Sequence, residues 1–323
     1  MREFWLFIGT TFGLYTCSAL ANDGYGPLNI YSQSPLQTNV LAPQIRSGFS
    51  LHPDQYELYG SATISSVWAI TASYELDYYQ NQLSMGGKWQ LNSDWQLDVQ
   101  YRWNFAANNH LDKPTMAFHD MVGIDQNGRA EADRHRFVID MPAYGVQEAN
   151  FNGQTLGSAI TSYLQYQAYS DESHGVSFGL SLYYNDTSNG LFSASRFEQS
   201  GQINYGYIND KHAFDTSLAI TLRETPTDFE SMPFRSSTWT FGASYRYQWF
   251  EHHTLIAQLT INQGLLDDTS EFSKPTTEFV YGYRYTLKNS AVELTVVENM
   301  FHADNSTDIA LGLAFRYRFG ANA

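Results

Sequence analysis

The feature that most constrains this chain is a two-residue alternation of bulky apolar with small or polar residues, repeated over segments of about ten residues. The last segment shows it most clearly, with one face formed by Ile309, Leu311, Leu313, Phe315, Tyr317 and Phe319. A period of two indicates β-strands, and about ten residues cross a bilayer as a tilted strand. The pattern therefore predicts an all-β fold, a transmembrane antiparallel up-and-down β-barrel.

The composition favours this barrel over a soluble β-sandwich, in which alternation also occurs. The chain contains 23 Tyr, 21 Phe and 7 Trp, while charged residues make up only 16%, against about 25% in ordinary soluble domains. The aromatic residues fall near both ends of the alternating segments, as the two interfacial girdles of a membrane barrel require. No apolar run approaches the roughly 18 residues that a membrane-spanning helix needs.

We predict about twelve strands, separated alternately by short turns and longer loops. They lie near 55–66, 72–91, 95–106, 158–170, 173–186, 195–209, 211–223, 236–250, 252–264, 275–287, 290–300 and 305–319. Short turns fall on the periplasmic side and loops, of which 107–157 is the longest, on the external side. We assign Arg134 to Met141 to that loop, because another wall strand would break the alternation. In the second strand the apolar residues occupy even-numbered positions up to Tyr78 and odd-numbered positions from Leu83 onward. This change of face predicts a bulge or a strand that projects beyond the membrane.

The N-terminal residues predict export. Met1 to Ala21 combine a basic residue, a short apolar stretch and a small-x-small ending, which is typical of a secretory signal peptide cleaved after Ala21. The single cysteine, Cys17, lies inside it, so the mature chain has no disulfide. We expect the outer membrane of a Gram-negative cell as the destination. Residues 22–54 form an extended periplasmic segment or a plug within the barrel, which comprises residues 55–323.

Several motifs carry a family resemblance. They are Gly26-Pro27-Leu28-Asn29-Ile30-Tyr31-Ser32-Gln33-Ser34-Pro35-Leu36, Glu75-Leu76-Asp77, Leu111-Asp112-Lys113-Pro114, Phe118-His119-Asp120 and Gly128-Arg129. In these the chain resembles a family of uncharacterised proteobacterial outer-membrane proteins catalogued as domain of unknown function 3187. The resemblance implies a barrel and supplies no established activity. The last strand is also similar to the signal read by the barrel-assembly machinery, a glycine followed by alternating aromatics (Gly312, Phe315, Tyr317, Phe319).

The long loop contains the most suggestive polar residues. Asp112 can cap a short helix that Gly123 ends, and Asp112, His119, Asp120 and Arg129 could then form a polar cluster. Such a cluster would be a site or gating element in the barrel mouth, or it would anchor the loop to the rim. We favour the anchor, because long loops also need ordering.

Charges of both signs fall on the face of the strands that points into the barrel. They are Asp98, Arg102, Arg196, Glu198, Asp215, Arg223, Arg246, Glu278, Arg284, Glu293, Arg316 and Arg318. Charges in a lumen filter ions or steer solutes, whereas opposed charges in a narrow lumen pair and close it. A twelve-stranded barrel lies between filled eight-stranded barrels and open porins, so size does not decide.

These features predict a passive outer-membrane role, either as a narrow channel for small or hydrophobic solutes or as a structural barrel. The alternatives are a lipid hydrolase that uses His119 with a loop serine, and a cell-surface adhesion barrel. His174 and Ser177 lie on opposite faces of one strand, and no nucleophile-elbow, phosphate-loop or metal motif occurs. We expect no cofactor or metal. The net charge of −15 argues against nucleic acid, and the expected partners are membrane lipids, including lipopolysaccharide, and the assembly machinery.

Overall fold

Twelve strands form the wall of a closed antiparallel barrel in the computed structural model, which describes residues 24–123, 128–129, 131–187, 194–224, 231–301 and 303–320. In chain order the strands are β1 (Gln55–Ile70), β2 (Glu75–Gln90), β3 (Trp95–Ala106), β4 (Val138–Met141), β5 (Val146–Ala149), β6 (Thr155–Ser170), β7 (His174–Thr187), β8 (Ala194–Asn209), β9 (His212–Arg223), β10 (Ser237–Phe250), β11 (His253–Asn262), β12 (Thr276–Thr286), β13 (Ser290–Phe301) and β14 (Ile309–Gly320). All except β4 and β5 belong to the wall. No helix among the described residues has the length and apolarity to cross a membrane.

The barrel closes through β1, which pairs with β2 on one side and β14 on the other. The closing register runs from Gln55 opposite Gly320 to Ser66 opposite Ile309. Every wall strand pairs antiparallel with its neighbours, so the predicted up-and-down barrel is confirmed. Closure removes the unpaired strand edges that a bilayer cannot satisfy.

The two faces of the wall differ as the alternation predicts. Outward positions such as Leu180, which is 65% exposed, and Phe178 form an apolar surface suited to lipid. Inward positions such as Gln82, Asp98 and Asn204 are polar and buried. The interior is therefore not an apolar core, and its polar groups need hydrogen-bond partners within the lumen.

The long loop departs from the prediction in one respect. Part of the segment assigned to loop, Val138–Met141, is strand β4, and it forms a hairpin with β5 outside the wall. This hairpin continues the sheet above β2, where Glu75 lies opposite Asp140. The pairing of β2 with β1 and with β3 runs without a register shift. No bulge therefore explains why the apolar residues of β2 change face. The strand instead extends beyond the rest of the wall, and its upper part has different surroundings.

The same loop contains α1 (Asp112–Val122). Gly123 follows it with φ +73°, a left-handed conformation that ends helices readily at glycine. Leu111 and Thr115, at the start of α1, are buried.

Residues 24–54, which we call the inner segment, run inside the barrel. Arg318 Nη2, at the end of β14, donates to Gly24 O at 2.7 Å. The segment therefore begins at the end of the barrel with the short turns, which we call the periplasmic end, and the opposite end is called the extracellular end. It rises to a 3₁₀ turn at Gln37–Asn39, where Gln80 Nε2 donates to Thr38 Oγ1 at 3.1 Å. It then descends to β1. The lumen thus contains two passes of the chain.

A buried apolar cluster covers the extracellular end, and we call it the cap cluster. It consists of Val40, Val67, Ala69, Tyr74, Leu76, Tyr78, Tyr79, Ala106, Phe137, Ile139, Met141, Phe151, Leu156, Met232, Phe234, Leu265, Leu266 and Phe272. Its members come from the tops of wall strands, from the loops, from the β4–β5 hairpin and, through Val40, from the turn of the inner segment. Leu76 and Tyr78 point inward yet are apolar because this cluster occupies the top of the lumen.

Candidate functional site

The charges expected in the lumen lie on inward positions of the wall. Eleven of the twelve side chains are buried, and Arg318 is half-buried at the periplasmic rim. They form several groups along the lumen. Most of these groups also contact the inner segment.

The lowest group surrounds Glu57 of β1. Its carboxylate accepts from Arg316 Nη2 at 2.6 Å, Arg318 Nε at 2.8 Å and Lys88 Nζ at 3.3 Å. Arg316 also reaches Glu293 at 3.3 Å, and Arg284 pairs with Glu293 at 2.7 Å. The chain is strongly acidic overall, yet basic side chains outnumber acidic ones in this group.

The inner segment begins within this group. Arg284 Nη2 donates to Gly26 O at 2.9 Å, and Arg316 Nη1 donates to Pro27 O at 3.1 Å. The Tyr25 ring lies 4.2 Å from the guanidinium of Arg318 and 5.3 Å from that of Arg316. Cations over an aromatic face attract it electrostatically. The start of the inner segment is therefore held by arginines through carbonyls and a ring, without a charge of its own.

A second group surrounds Asp98 of β3, which lies opposite Lys88 of the lowest group in the strand register. This buried carboxylate forms an ion pair with Arg46 of the inner segment and accepts from the Tyr59 hydroxyl at 2.5 Å. The Arg46 guanidinium also lies 4.5 Å from the centre of the Tyr163 ring. Arg46 is the basic residue of the inner segment that ties its descending pass to the wall.

The Arg102 guanidinium, on the same strand, lies 4.6 Å from the centre of the Tyr31 ring of the ascending pass. Nearer the top, the backbone N–H of Leu41 donates to Glu198 at 3.0 Å, and Glu198 pairs with Arg223 at 3.2 Å. Both passes of the inner segment thus contact charged wall residues.

A third group lies near the top, where Glu278 of β12 binds the ascending pass. One carboxylate oxygen accepts from the backbone N–H groups of Gln33 and Ser34, at 2.8 and 3.0 Å. It also accepts from the hydroxyls of Ser32 and Ser34, each at 3.0 Å. Since Glu278 is buried and bonded to four donors of three consecutive residues, it is the most concentrated tether between wall and inner segment.

Several glycines of the wall lie against apolar residues of the inner segment, among them Gly282 and Gly242. A Cβ built at Gly282 would lie 2.6 Å from Leu28 Cδ1, and one built at Gly242 would lie 3.6 Å from Ile45 Cβ. A side chain at Gly282 would therefore clash with Leu28. Leu28 also packs against Ile256, Val280 and Val297 of the wall, so apolar contacts and polar bonds together attach the inner segment.

The inner segment leaves little free space at mid-height. Two cavities there, lined by Tyr31, Pro43 and Gln44 among others, have volumes of about 10 Å³ each, roughly the space of one water. At the periplasmic end a larger cavity of about 430 Å³ is lined by Tyr25, Lys88 and Arg318. Among the described residues, the lumen is filled at its middle and top, and the larger cavity opens toward the periplasm.

The polar cluster expected in the long loop is partly assembled. Asp112 accepts from the Tyr79 hydroxyl and from Arg129 Nη2, the latter at 3.0 Å. Arg129 also pairs with Asp308 and donates to Ser66, which joins the loop to the rim at β1 and β14. Asp120 lies at an exposed position of α1. The side chain of His119 lies outside the described residues.

A second polar contact joins the long loop to the loop between β11 and β12, outside the cap cluster. The Tyr144 hydroxyl, beside the β4–β5 hairpin, donates to Asp268 Oδ2 at 2.5 Å, and Ser270 donates to Oδ1 at 2.6 Å. Burial by itself would raise the pKa of Asp268, but these donors outweigh it, and the pKa of Asp268 is lowered. No group of three or more potential metal ligands occurs among the described residues.

Sequence reasoning missed the partners of these charges. Glu57 occupies an inward position in the alternation of β1, so the same pattern could have identified it as a lumen residue. Arg46, Tyr31 and Tyr25 lie in a segment without periodicity, so nothing local marks them as lumen residues. The pairing of Arg129 with Asp308 joins residues far apart in sequence and depends on how the barrel closes.

The closed wall, apolar outer face and polar interior define a transmembrane β-barrel of the outer-membrane type. The sequence profile of the family described as "Protein of unknown function (DUF3187)" matches residues 6–319. The chain therefore belongs to this family, as its motifs indicated. No curated protein sequence matches the chain significantly.

Solved barrels share the fold at low sequence identity. The COG4313 outer membrane channel from Pseudomonas putida F1 is 15% identical, with a TM-score of 0.54 over 84% of this chain and 97% of that one. The Ralstonia pickettii toluene transporter TbuX is 8% identical, with a TM-score of 0.45 over 90% of this chain and 99% of that one. The first of these likenesses supports the fold.

Proposed function

We propose that this protein is a narrow outer-membrane channel for small solutes, closed at rest by its inner segment. The observation that carries the proposal is the way in which the lumen is filled. The inner segment runs through the lumen in two passes, and many of its contacts with the wall are polar bonds such as those of Glu278. Water can replace such bonds when the segment moves, so the blocked state can be reversed.

The polar wall favours small hydrophilic solutes over hydrophobic ones. Inward positions carry Gln82, Asn204 and Ser217 between the charged groups, and these offer hydrogen bonds that an apolar solute cannot use. A purely structural barrel is the alternative that a closed lumen also fits. The two differ in whether the inner segment can leave its position.

A disulfide lock tests the proposal. The 3.6 Å between Ile45 Cβ and a Cβ built at Gly242 falls within the roughly 3.5–4.5 Å range of disulfides. Ile45→Cys with Gly242→Cys, in a Cys17→Ser background, should fix the inner segment to the wall. In planar bilayers we expect the oxidised variant to carry no current or solute flux, and reduction to restore the wild-type level.

The matched control is Thr295→Cys with Gly312→Cys, which links two neighbouring wall strands, β13 and β14. The corresponding Cβ distance is 3.7 Å. This pair should conduct equally when oxidised and reduced. If neither the wild type nor a variant lacking residues 24–50 shows current or flux, the channel proposal fails and the structural barrel stands.

A further inference from the structure

Three consecutive hairpins of the wall carry the same arrangement of one histidine and two tyrosines at their periplasmic end. In each hairpin the histidine opens the first strand, and a Tyr-x-Tyr pair lies near the end of the second. We call these the His–Tyr units, and they comprise His174 of β7 with Tyr205 and Tyr207 of β8, His212 of β9 with Tyr245 and Tyr247 of β10, and His253 of β11 with Tyr283 and Tyr285 of β12.

The distances within the three units are nearly the same. The distance from histidine Nδ1 to the hydroxyl of the first tyrosine is 2.9, 2.6 and 2.6 Å in chain order. The imidazole centre lies 5.1, 5.2 and 5.2 Å from the ring centre of the second tyrosine. Since strand register alone does not dictate histidine at these positions, the repetition indicates a shared role.

All three units face outward, toward lipid. The residue after each histidine (Gly175, Ala213 or Thr254) is buried on the opposite face of its strand. Further along the same strands, exposed Phe178 and Phe214 belong to the apolar outer surface. The units therefore lie where that surface meets the periplasmic turns, which is the level of lipid headgroups.

Each unit has a hydrogen-bond donor left for a ligand. A neutral imidazole and a phenol carry two polar hydrogens between them, and the bond between Nδ1 and the hydroxyl uses only one. The second hydrogen remains on imidazole Nε2 or on the tyrosine oxygen. A phosphate diester oxygen is the strongest acceptor at headgroup level, because its charge strengthens the bond. The second tyrosine offers its ring face to a headgroup ammonium.

We infer that each His–Tyr unit binds the phosphate of one glycerophospholipid in the periplasmic leaflet, so that this half of the barrel holds three lipids. The sites lie on the outer surface and do not depend on whether the lumen conducts. They would fix the height of these hairpins in the bilayer.

Native mass spectrometry of the full chain, with phosphatidylethanolamine added to the detergent, tests this inference. The wild type should retain up to three phospholipids. His174→Phe, His212→Phe and His253→Phe keep the ring contact but remove the nitrogen, and each should lose one bound lipid. The triple variant should bind phosphatidylethanolamine roughly ten-fold more weakly, as the loss of bonds to a charged acceptor implies. Diacylglycerol with the same acyl chains should not distinguish wild type from variants.

The matched control is Trp95→Phe with Tyr166→Phe. These rings lie 5.0 Å apart in the same aromatic girdle but without a histidine, and this variant should bind phospholipid as the wild type does. Equal binding by wild type and triple variant would overturn the inference, as would an equal loss in the control. Should the triple variant fail to fold, the three single variants decide by the same criterion.

Phosphatidylglycerol added in parallel tests the ammonium contact. Similar binding of phosphatidylglycerol and phosphatidylethanolamine would assign recognition to the phosphate.

Discussion

At the extracellular end the lumen is covered by packed apolar side chains, whereas at the periplasmic end it contains arginines, carboxylates and a cavity of about 430 Å³. The contrast concerns how easily each end can open. Apolar packing is lost when water enters, because nothing replaces the buried contacts. Polar bonds exchange with water at a small net cost. The periplasmic end is therefore the side from which the inner segment can be withdrawn.

The two ends are nevertheless connected through the turn of the inner segment. Val40 belongs to the cap cluster, and the N–H of the next residue, Leu41, donates to Glu198 in the charged lumen. Withdrawal of the segment would remove Val40 from the cap. A movement that starts among polar contacts below would thus loosen the apolar closure above.

The largest effect should follow from a change in the cap cluster. Phe151 is 1% exposed, and its ring lies 5.6 Å from the rings of both Tyr78 and Phe137. Phe151→Ala should lower the free energy of unfolding by about 3–5 kcal/mol, because it leaves a cavity between packed rings. Urea unfolding in lipid vesicles measures this. Phe178→Ala, on the lipid-facing surface, is the control and should cost clearly less. Equal losses would show that the cap is not tightly packed.

The next effect should appear at the polar junction beside the cap. Arg129→Met leaves Asp112 and Asp308 without their shared partner, and breaking a buried ion pair in this way costs about 3 kcal/mol. The long loop should then become accessible to protease from the extracellular side. Arg235→Met removes a comparable pair with Asp267, whose side chain is 71% exposed, and should cost less than about 1 kcal/mol. Similar protease sensitivity in both variants would contradict a specific anchor.

The wall could be predicted from the sequence because alternation is a local property. Strand β3 begins and ends where the pattern indicates, at Trp95 and Ala106. Strand β4 (Val138–Met141) could not be predicted from the same pattern. Four residues show too little periodicity, and their partner is the extended top of β2.

The contents of the lumen were much harder to predict. The inner segment has no period, since its side chains contact different strands at every step rather than one face. Arg46 meets Asp98, and Ser34 meets Glu278, only after the wall has closed around them. Asp112 and Arg129 were recognisable as neighbours because one loop contains both, whereas Asp308 was not.

The smallest of these effects concerns the bonds between Glu278 and the inner segment. It should change the open probability of the channel rather than the overall stability of the barrel. Glu278→Gln keeps the size of the side chain but replaces the charged acceptor of four hydrogen bonds by a neutral amide. Loss of the charge should weaken the attachment by about 1.5–2 kcal/mol, which corresponds to a roughly ten- to thirty-fold increase in the population of the displaced segment. Single-channel recordings should show a matching rise in open probability.

Glu251→Gln, in an exposed turn, is the matched control and should leave the open probability unchanged. If Glu278→Gln stays closed while Phe151→Ala opens the barrel, the roles of the two ends are reversed, and the extracellular cap controls the passage.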